Sequence, residues 1–473
     1  MLQVFHATFI AAILTDICTV ASYQGGSMTT LRFDTIEDTA SHESMFPIIV
    51  ASTIGSAIEW LDFFYYSFLA VTVFPAVFFP GLNPYAGVIA AFTTNFVGFV
   101  ARPLGSIFFG RFGDRVGRKP TLATTLLLIG IATMLIGVLP GYATLGLLAP
   151  LLLALLRFLQ GVGVGGEWGG SVLLTMEFGN PARRGFLTSW PQAGALVGLG
   201  LSVTSLLLFK NLYPGEAFQS IGWRMPFLLS TMLLLVGLYI RLRIPETTAF
   251  LHLQQQRQSH KVMGQTWRRY WREILLSALV RSGEQAPFYI FTTFMLSYGV
   301  EILHWEASLL YRGLILAALL ACITIPIYGA LSDRIGRRRL TMYGTLLMGA
   351  CAIPYFLLFN TGNPVLIVLA IALSLGGCHA CLYGPQAALI AERFPTRFRY
   401  TGATLGYQLA SIIAGGPAPI IATYLLSRAQ PHNPTYPVWV LIAIYLMIMA
   451  LSSLLAACYL KDYTGQDAVE DLM

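Results

Sequence analysis

Seven ionisable side chains sit inside stretches that are otherwise apolar: Glu59 and Asp62, Arg102, Arg157 and Glu167, and Arg281 with Glu284. Glu59 and Asp62 are three apart and share a helical face. Two carboxylates so close do not ionise together readily in apolar surroundings. That suits one of them to carry a proton, and the residues alone do not decide which. Arg157 has a planar fork that matches a carboxylate. It either binds an anionic ligand directly or holds the acidic pair until a proton releases it. Arg102 either reads a ligand's charge or pairs with Glu167 in one state. Arg281, Glu284 and Gln285 lie on one face, with Tyr289 following, and the first two neutralise each other. Gln192, Tyr383 and Gln408 add neutral hydrogen-bonding groups, with His379 and Gln386 beside Tyr383 in the sequence. Proton exchange and charge recognition are the chemistry on offer. No nucleophile–base set and no metal-ligand cluster accompanies these residues, so neither an enzyme nor a metal site is expected.

The elements that position them must be membrane helices. The chain has 473 residues, 56% hydrophobic and only 11% charged, whereas soluble domains carry roughly 25% charged residues. A bilayer core about 30 Å thick needs roughly 20 apolar residues per helix. Runs such as LATTLLLIGIATMLIGVL, starting at Leu122, are continuous and do not alternate, so they read as helices. The expected spans are 46–73, 85–109, 121–140, 145–176, 186–209 and 223–243, then 273–300, 306–329, 340–359, 364–392, 400–427 and 436–460. The organisation is thus an N-terminal extension 1–45, a six-helix bundle 46–243, a linker 244–272, a second six-helix bundle 273–460 and a tail 461–473. A charge at the centre of such a helix costs on the order of 2.5–3.5 kcal/mol, so each of the seven needs a partner.

The net charge of +7 is spread over short loops, with no basic domain for nucleic acid. Lys and Arg crowd the loops after even-numbered spans, while those after odd-numbered spans hold only Lys210 and Arg428. By the positive-inside rule both termini and the linker are expected to be cytoplasmic. Cys378 and Cys381 form a C-x-x-C without a second ligand pair and read as packing residues. GVGVGGEWGG lacks the lysine and hydroxyl of a phosphate loop.

The chain also repeats itself. GRFGDRVGRKPT at Gly110 to Thr121 returns as GALSDRIGRRRL at Gly329 to Leu340. Each copy, too charged for lipid and too glycine-rich for a helix interior, is expected to be a tight turn at the membrane surface. Glu177, Pro181 and Arg183 match Glu392, Pro395 and Arg397, and Gln192 matches Gln408. Two similar halves in one orientation fit transporters that hold substrate near the midplane between them.

The two repeats resemble the signature of the major facilitator superfamily. RFLQGVGVGGEWGG (from Arg157), ARPLGS (from Ala101), YQLAS (from Tyr407) and GWRMPF (from Gly222) are similar to its metabolite:proton symporter family, over about residues 46–460. The resemblance implies an all-α membrane fold of twelve helices in two pseudo-symmetric six-helix bundles. It implies import of a shikimate- or α-ketoglutarate-like carboxylate by alternating access, driven by the proton gradient without a cofactor. The implied setting is a bacterial inner membrane, with a monomeric protein, a carboxylate or zwitterion substrate, protons and the bilayer as partners. Helices 1 and 4 are then brought together, so Glu59, Asp62 and Arg157 are expected to couple protons. Arg102, Arg157, Gln192, Tyr383 and Gln408 are expected to bind substrate. Asp114 and Asp333 would accept from backbone amides at a helix start, in a latch with Arg115, Arg118 and Arg334. Glu177 with Arg183, and Glu392 with Arg397, would be its partners, and Glu167 would belong to the inner gate.

Gly161, Gly165 and Gly169, four apart, let another helix approach, and Trp60, Trp168 and Trp190 are candidates for the pocket wall. The nearest alternative is a betaine or proline symporter. A sugar carrier is weaker, because IPETTAF at 244–250 resembles a sugar-porter motif while no matching motif ends helix 12. A sensor would need an output domain. LQVFHATFIAAILTDICTVA is broken by Asp16, and Met28 opens a polar lead-in, so translation is expected to begin at Met28. N-terminal sequencing of the protein from its native host checks this, and a mature chain retaining Leu2 would refute it.

Overall fold

Backbone amides in lipid find no partner but each other, and the computed structural model is helical wherever the chain is apolar. It describes residues 45–243, 246–247, 250–251, 263–396, 398–429, 437 and 439–464, and no strand occurs among them. The first half comprises α1 (Met45–Thr72), α2 (Pro84–Arg115), α3 (Arg118–Val138), α4 (Leu148–Phe178), α5 (Arg184–Leu212) and α6 (Met225–Arg243). In the second half, α7 (Met263–Tyr289) is carried on by helical turns to Ile302. It is followed by α8 (Ala307–Ile335), α9 (Arg337–Phe359), α10 (Pro364–Ala391), α11 (Arg399–Ser427) and α12 (Trp439–Tyr459). Eleven helices among the described residues are long and apolar enough to cross a membrane. α7 is the exception, because it starts ten residues before the expected boundary and carries Arg269, Arg272, Glu273, Arg281 and Glu284.

Local signals explain the boundaries. Asn83 and Asn363 cap α2 and α10, their Oδ1 atoms accepting from Ala86 N (2.8 Å) and Val365 N (2.9 Å), and each is followed by a proline suited to the first turn. Wide π-type turns follow α7 at Ile290–Phe294 and Tyr298–Ile302 and interrupt α10 at Ser374–His379 and α11 at Ser411–Gly415. Such turns re-aim the side chains around them and recur at functional sites.

Helices 2 and 4 meet backbone to backbone. A Cβ on Gly161 would fall 2.0 Å from Gly98 O, and one on Gly165 would fall 2.1 Å from Arg102 O. This contact brings Arg102 and Arg157 onto neighbouring surfaces. Between the halves, α5 packs along α8, α2 along α11, α10 against α5 and α11 against α4.

The two repeats are not free turns, which corrects the expectation from their composition. α2 continues through GRFGDR to Arg115 and α8 through GALSDRI to Ile335. Only Gly117 and Gly336, with φ of 129° and 97°, make the reversal. The other glycines serve packing between halves: a Cβ on Gly110 would lie 2.8 Å from Thr401 Cα, and one on Gly329 would lie 2.6 Å from Gly185 O. Gly161→Val should therefore prevent assembly and strip the protein from the membrane fraction. Recovery of a folded variant with wild-type thermal stability would contradict the backbone contact.

Candidate functional site

The first polar cluster lies within the first half. Asp62 of α1 accepts from Thr133 Oγ1 of α3 (2.8 Å) and from Gln160 Nε2 of α4 (2.6 Å). Arg157, one turn before Gln160, donates to its Oε1 at 2.7 Å and also bonds Asn95 of α2. Asp62 and Arg157 therefore communicate through an amide and do not form the direct ion pair that residue types alone suggested. The Arg157 guanidinium also lies 3.9 Å from the Tyr66 ring centroid. All these residues are buried. Asn95, Thr133 and Tyr66 went unnoticed in the sequence, because uncharged polar residues in an apolar helix leave no distinctive mark.

Glu59 and Arg102 join Asp62, Asn95, Arg157 and Gln160 around a cavity of about 20 Å³, room for roughly one water molecule. Arg102 is 3% exposed, and among the described residues no carboxylate lies within ion-pair distance of it. Its guanidinium sits instead over aromatic rings, 4.4 Å from Phe99, 5.1 Å from Phe63 and 6.0 Å from Trp60. Those rings touch the other half: Trp60 meets Phe288 at 5.8 Å, and Phe63 and Phe99 meet Tyr289 at 5.5 and 5.2 Å.

Glu167 is not paired with Arg102, the partner weighed from sequence. It pairs with Arg241 of α6, whose Nη1 donates to Glu167 Oε2 at 2.6 Å, while Thr125 Oγ1 donates to the same oxygen at 3.0 Å. Gly55 of α1 makes room, since a Cβ there would fall 2.0 Å from Arg241 Nη2. In the sequence Arg241 looks like ordinary loop-flanking charge.

The second cluster lies in the second half and reaches the first. Glu284 Oε2 is 3.7 Å from Arg281 Nη1, and Glu284 Oε1 is 2.8 Å from His379 Nε2, so the histidine is not the isolated group it looks in the sequence. Arg281 donates to Gln386 Oε1 (3.2 Å) and lies 3.0 Å from the Tyr407 ring centroid. Tyr407 shares a hydroxyl bond with Tyr383 (3.1 Å) and stacks on Trp168 of α4 with centroids 3.6 Å apart. Trp168 Nε1 donates to Gln192 Oε1 (2.8 Å), and Gln408 Nε2 donates to Val164 O (3.3 Å). Gln192, Tyr383 and Gln408 thus meet at the contact between halves, with Gln192 Nε2, Tyr289 OH and Arg281 Nε left without hydrogen-bond partners.

At the basic end, each repeat aspartate reaches a helix of the other half. Asp333 accepts from the first N–H groups of α5, Gly185 (2.7 Å) and Phe186 (2.9 Å). Asp114 accepts from Thr401 N (3.1 Å) and Oγ1 (2.7 Å) in the first turn of α11. Helix starts carry partial positive charge, which favours this placement. Arg118 bonds Glu177 (3.1 Å) and Gly113 O (2.9 Å), while Arg337 bonds Asp333 (3.1 Å) and pairs with Glu392. Arg115, Arg183 and Arg334 are exposed, with no carboxylate within ion-pair distance among the described residues. They stand outside the network assigned to them, because at the end of a helix successive residues point apart. Arg337 takes the place given to Arg334, and aligning the repeats on their glycines would have matched it to Arg118. Arg397 lies outside the described residues.

Glu246, in the IPETTAF segment, accepts from Arg118 N (3.1 Å) and Lys119 N (3.2 Å) at the start of α3, and Thr247 Oγ1 donates to Glu177 Oε2 (2.7 Å). After α12, where no matching motif was read, Thr464 Oγ1 nevertheless accepts from Arg337 N (3.0 Å). Arg241→Met leaves Glu167 buried without its counter-charge. The expected cost is about 3 kcal/mol, read as a lowered melting temperature in detergent, and an unchanged Tm would contradict the pairing.

Sequence and structure comparisons agree with this arrangement. Residues 45–415 match the model of the Major Facilitator Superfamily. The inner membrane metabolite transport protein YhjE of Escherichia coli K12 is 40% identical, over 80% of this chain and 87% of its own. The shikimate transporter of the same organism is 37% identical, over 87% and 94%. The proline/betaine transporter of Salmonella typhimurium is 33% identical, over 88% and 83%. Among solved structures, the proton:xylose symporter XylE bound to 6-bromo-6-deoxy-D-glucose superposes with a TM-score of 0.69 at 17% identity, over 89% of this chain and 97% of its own, a likeness of fold alone. The chain is a multi-pass inner-membrane transporter of small molecules and not an enzyme, and it belongs to the Major Facilitator Superfamily, alongside the metabolite, shikimate and proline/betaine transporters.

Proposed function

We propose that this transporter imports a small carboxylate-bearing metabolite together with protons, rocking its two halves about the central polar clusters with the basic end in the cytoplasm. The observation that carries the reading is Arg102. Arg118, Arg241, Arg281, Arg337 and Arg393 each face a carboxylate within 4.0 Å, while Arg102 is buried at the meeting of the halves against ring faces, with Glu59 on the same small cavity but outside ion-pair distance. A carboxylate entering there would find a guanidinium fork that no acid holds in an ion pair. Shikimate, carried by one relative by name, has such a group.

The arriving charge would share the site with Glu59. A proton taken up by Glu59 would keep the region neutral, and the gradient would then drive uptake. Asp62 is the less suitable carrier because Thr133 and Gln160 already hold its carboxylate. Arg157 would sense the change through Gln160 and Asn95. Closure of the cytoplasmic side would rest on Asp114 and Asp333, which move off their helix starts when the halves rock. The second reading, a proline- or betaine-like zwitterion, is favoured by Trp60 and Glu59 beside Arg102, which offer a ring face and a counter-charge to an ammonium group.

Radiolabelled shikimate, proline and glycine betaine presented to proteoliposomes under an inward proton gradient test both readings. Shikimate should accumulate in the wild type, collapse to equilibration with a proton ionophore, and fail to enter with Arg102→Gln. Glu59→Gln should lose accumulation and keep exchange. Uptake indifferent to the ionophore would end the symport reading, and accumulation of betaine alone would replace the substrate class.

A further inference from the structure

The basic end carries a pocket apart from the two central polar clusters. About 560 Å³ opens between the end of α8, the start of α9 and the segment after α12, lined by Arg334, Arg338, Arg339, Met342, Asp462 and Thr464, with the Ile335–Gly336 turn. The volume is in the range of small-ligand sites. Three cations face it against one carboxylate, and that carboxylate is already engaged, Asp462 Oδ1 accepting from Thr464 N at 3.1 Å and from its hydroxyl. Arg338 is held in place by Ala457 O (2.9 Å) and Cys458 O (2.6 Å) at the end of α12. Arg334 and Arg339 are exposed, with no carboxylate in ion-pair distance among the described residues.

The internal repeat shows what chemistry this place takes. In the first half the start of α3 is met by a carboxylate, Glu246, accepting from two successive backbone amides. In the second half, among the described residues, the start of α9 receives the Thr464 hydroxyl on Arg337 N, and the Asp462 carboxylate stands beside the Gly336 turn, 2.8 Å from where a Cβ there would lie. Each half thus brings one carboxylate to this turn, and the second half sets three arginines around it.

Depth identifies the source of the anion. Tyr343, Leu346 and Leu347 follow Arg339 on the same face of α9 and are 61%, 54% and 44% exposed. Leu331 and Ile335 of α8 are each 37% exposed beside them. Tyr343 is one helical turn from Arg339, about 6 Å along the axis. The pocket therefore sits where an apolar belt meets the basic end, at the level of lipid headgroups. Basic pockets between helices at this level suit anionic lipid phosphates.

We propose that this pocket binds the phosphodiester of an acidic phospholipid from the leaflet at the basic end. Arg334 and Arg339 draw the phosphate in, Arg338 orients it, and the acyl chains lie along Tyr343, Leu346 and Leu347. Inorganic phosphate shares the charge and the acceptor oxygens but has nothing to lay on that belt.

The test uses the purified full-length transporter in neutral detergent, with native mass spectrometry and thermal unfolding as readouts. The probes are phosphatidylglycerol, phosphatidylethanolamine and sodium phosphate. Phosphatidylglycerol should stay bound and raise the melting temperature, and the other two should not. The double variant Arg334→Gln/Arg339→Gln removes exposed side chains only and should bind phosphatidylglycerol about thirtyfold more weakly. Arg115→Gln, the repeat counterpart of Arg334, should bind as wild type does. Equal binding by the double variant, equal loss in Arg115→Gln, or the same stabilisation by sodium phosphate would each overturn the proposal.

Discussion

A guanidinium inside a bilayer must be answered by the protein, since lipid offers neither hydrogen bonds nor counter-charge. The helices of this transporter are arranged largely around that demand. Arg241 reaches Glu167 past a glycine in α1, Arg118 reaches Glu177, Arg337 reaches Glu392, and Arg281 shares Glu284 with His379. Each pair ties one helix to another or steadies a single turn. Removing one partner is far more costly than the pair itself is worth, because it leaves a stranded charge. Arg102 departs from the pattern. It is buried as deeply as the others and lies against rings, with Glu59 on the same small cavity but no carboxylate in ion-pair distance among the described residues.

Where the halves meet, the contacts are of two kinds. Near the centre they are aromatic and amide contacts, Trp168 on Tyr407, Trp60 on Phe288 and Gln408 on Val164 O. These contacts let surfaces slide with modest loss. At the basic end they are aspartates on helix starts, Asp333 on α5 and Asp114 on α11. These are strong, directional and present in both halves, so they fit a latch that is either made or broken. Glycines at 110, 113 and 329 bring the helices close enough for those bonds. The same residues that made the repeats look like turns are what permit the helices to touch.

Much of this was legible in the chain. Continuous apolar runs placed the helices to within a few residues, and the start of α7 escaped because that helix is too polar to announce itself. The family resemblance implied Asp114 and Asp333 beside helix starts, and both carboxylates accept from helix-start amides. The glycine ladder of α4 announced close packing, and α2 lies in it. What failed followed a pattern too. Arg115 and Arg334 were chosen for closeness in sequence to the aspartates, yet near a helix end the next residue points away. Glu167, weighed from depth as a partner of Arg102 in one state, is held by Arg241 of α6 in this conformation.

Composition and periodicity by themselves determined that this is a duplicated helical membrane protein and which charges must be buried. They do so because the cost of exposing backbone or charge to lipid is large and local, and so is written into every span. Partner choice was decided only by the tertiary structure. Arg241 and Glu167 are 74 residues apart, and Asp114 and Thr401 are 287 apart. Their meeting depends on the rotation of each helix about its axis, which the packing of neighbouring helices sets.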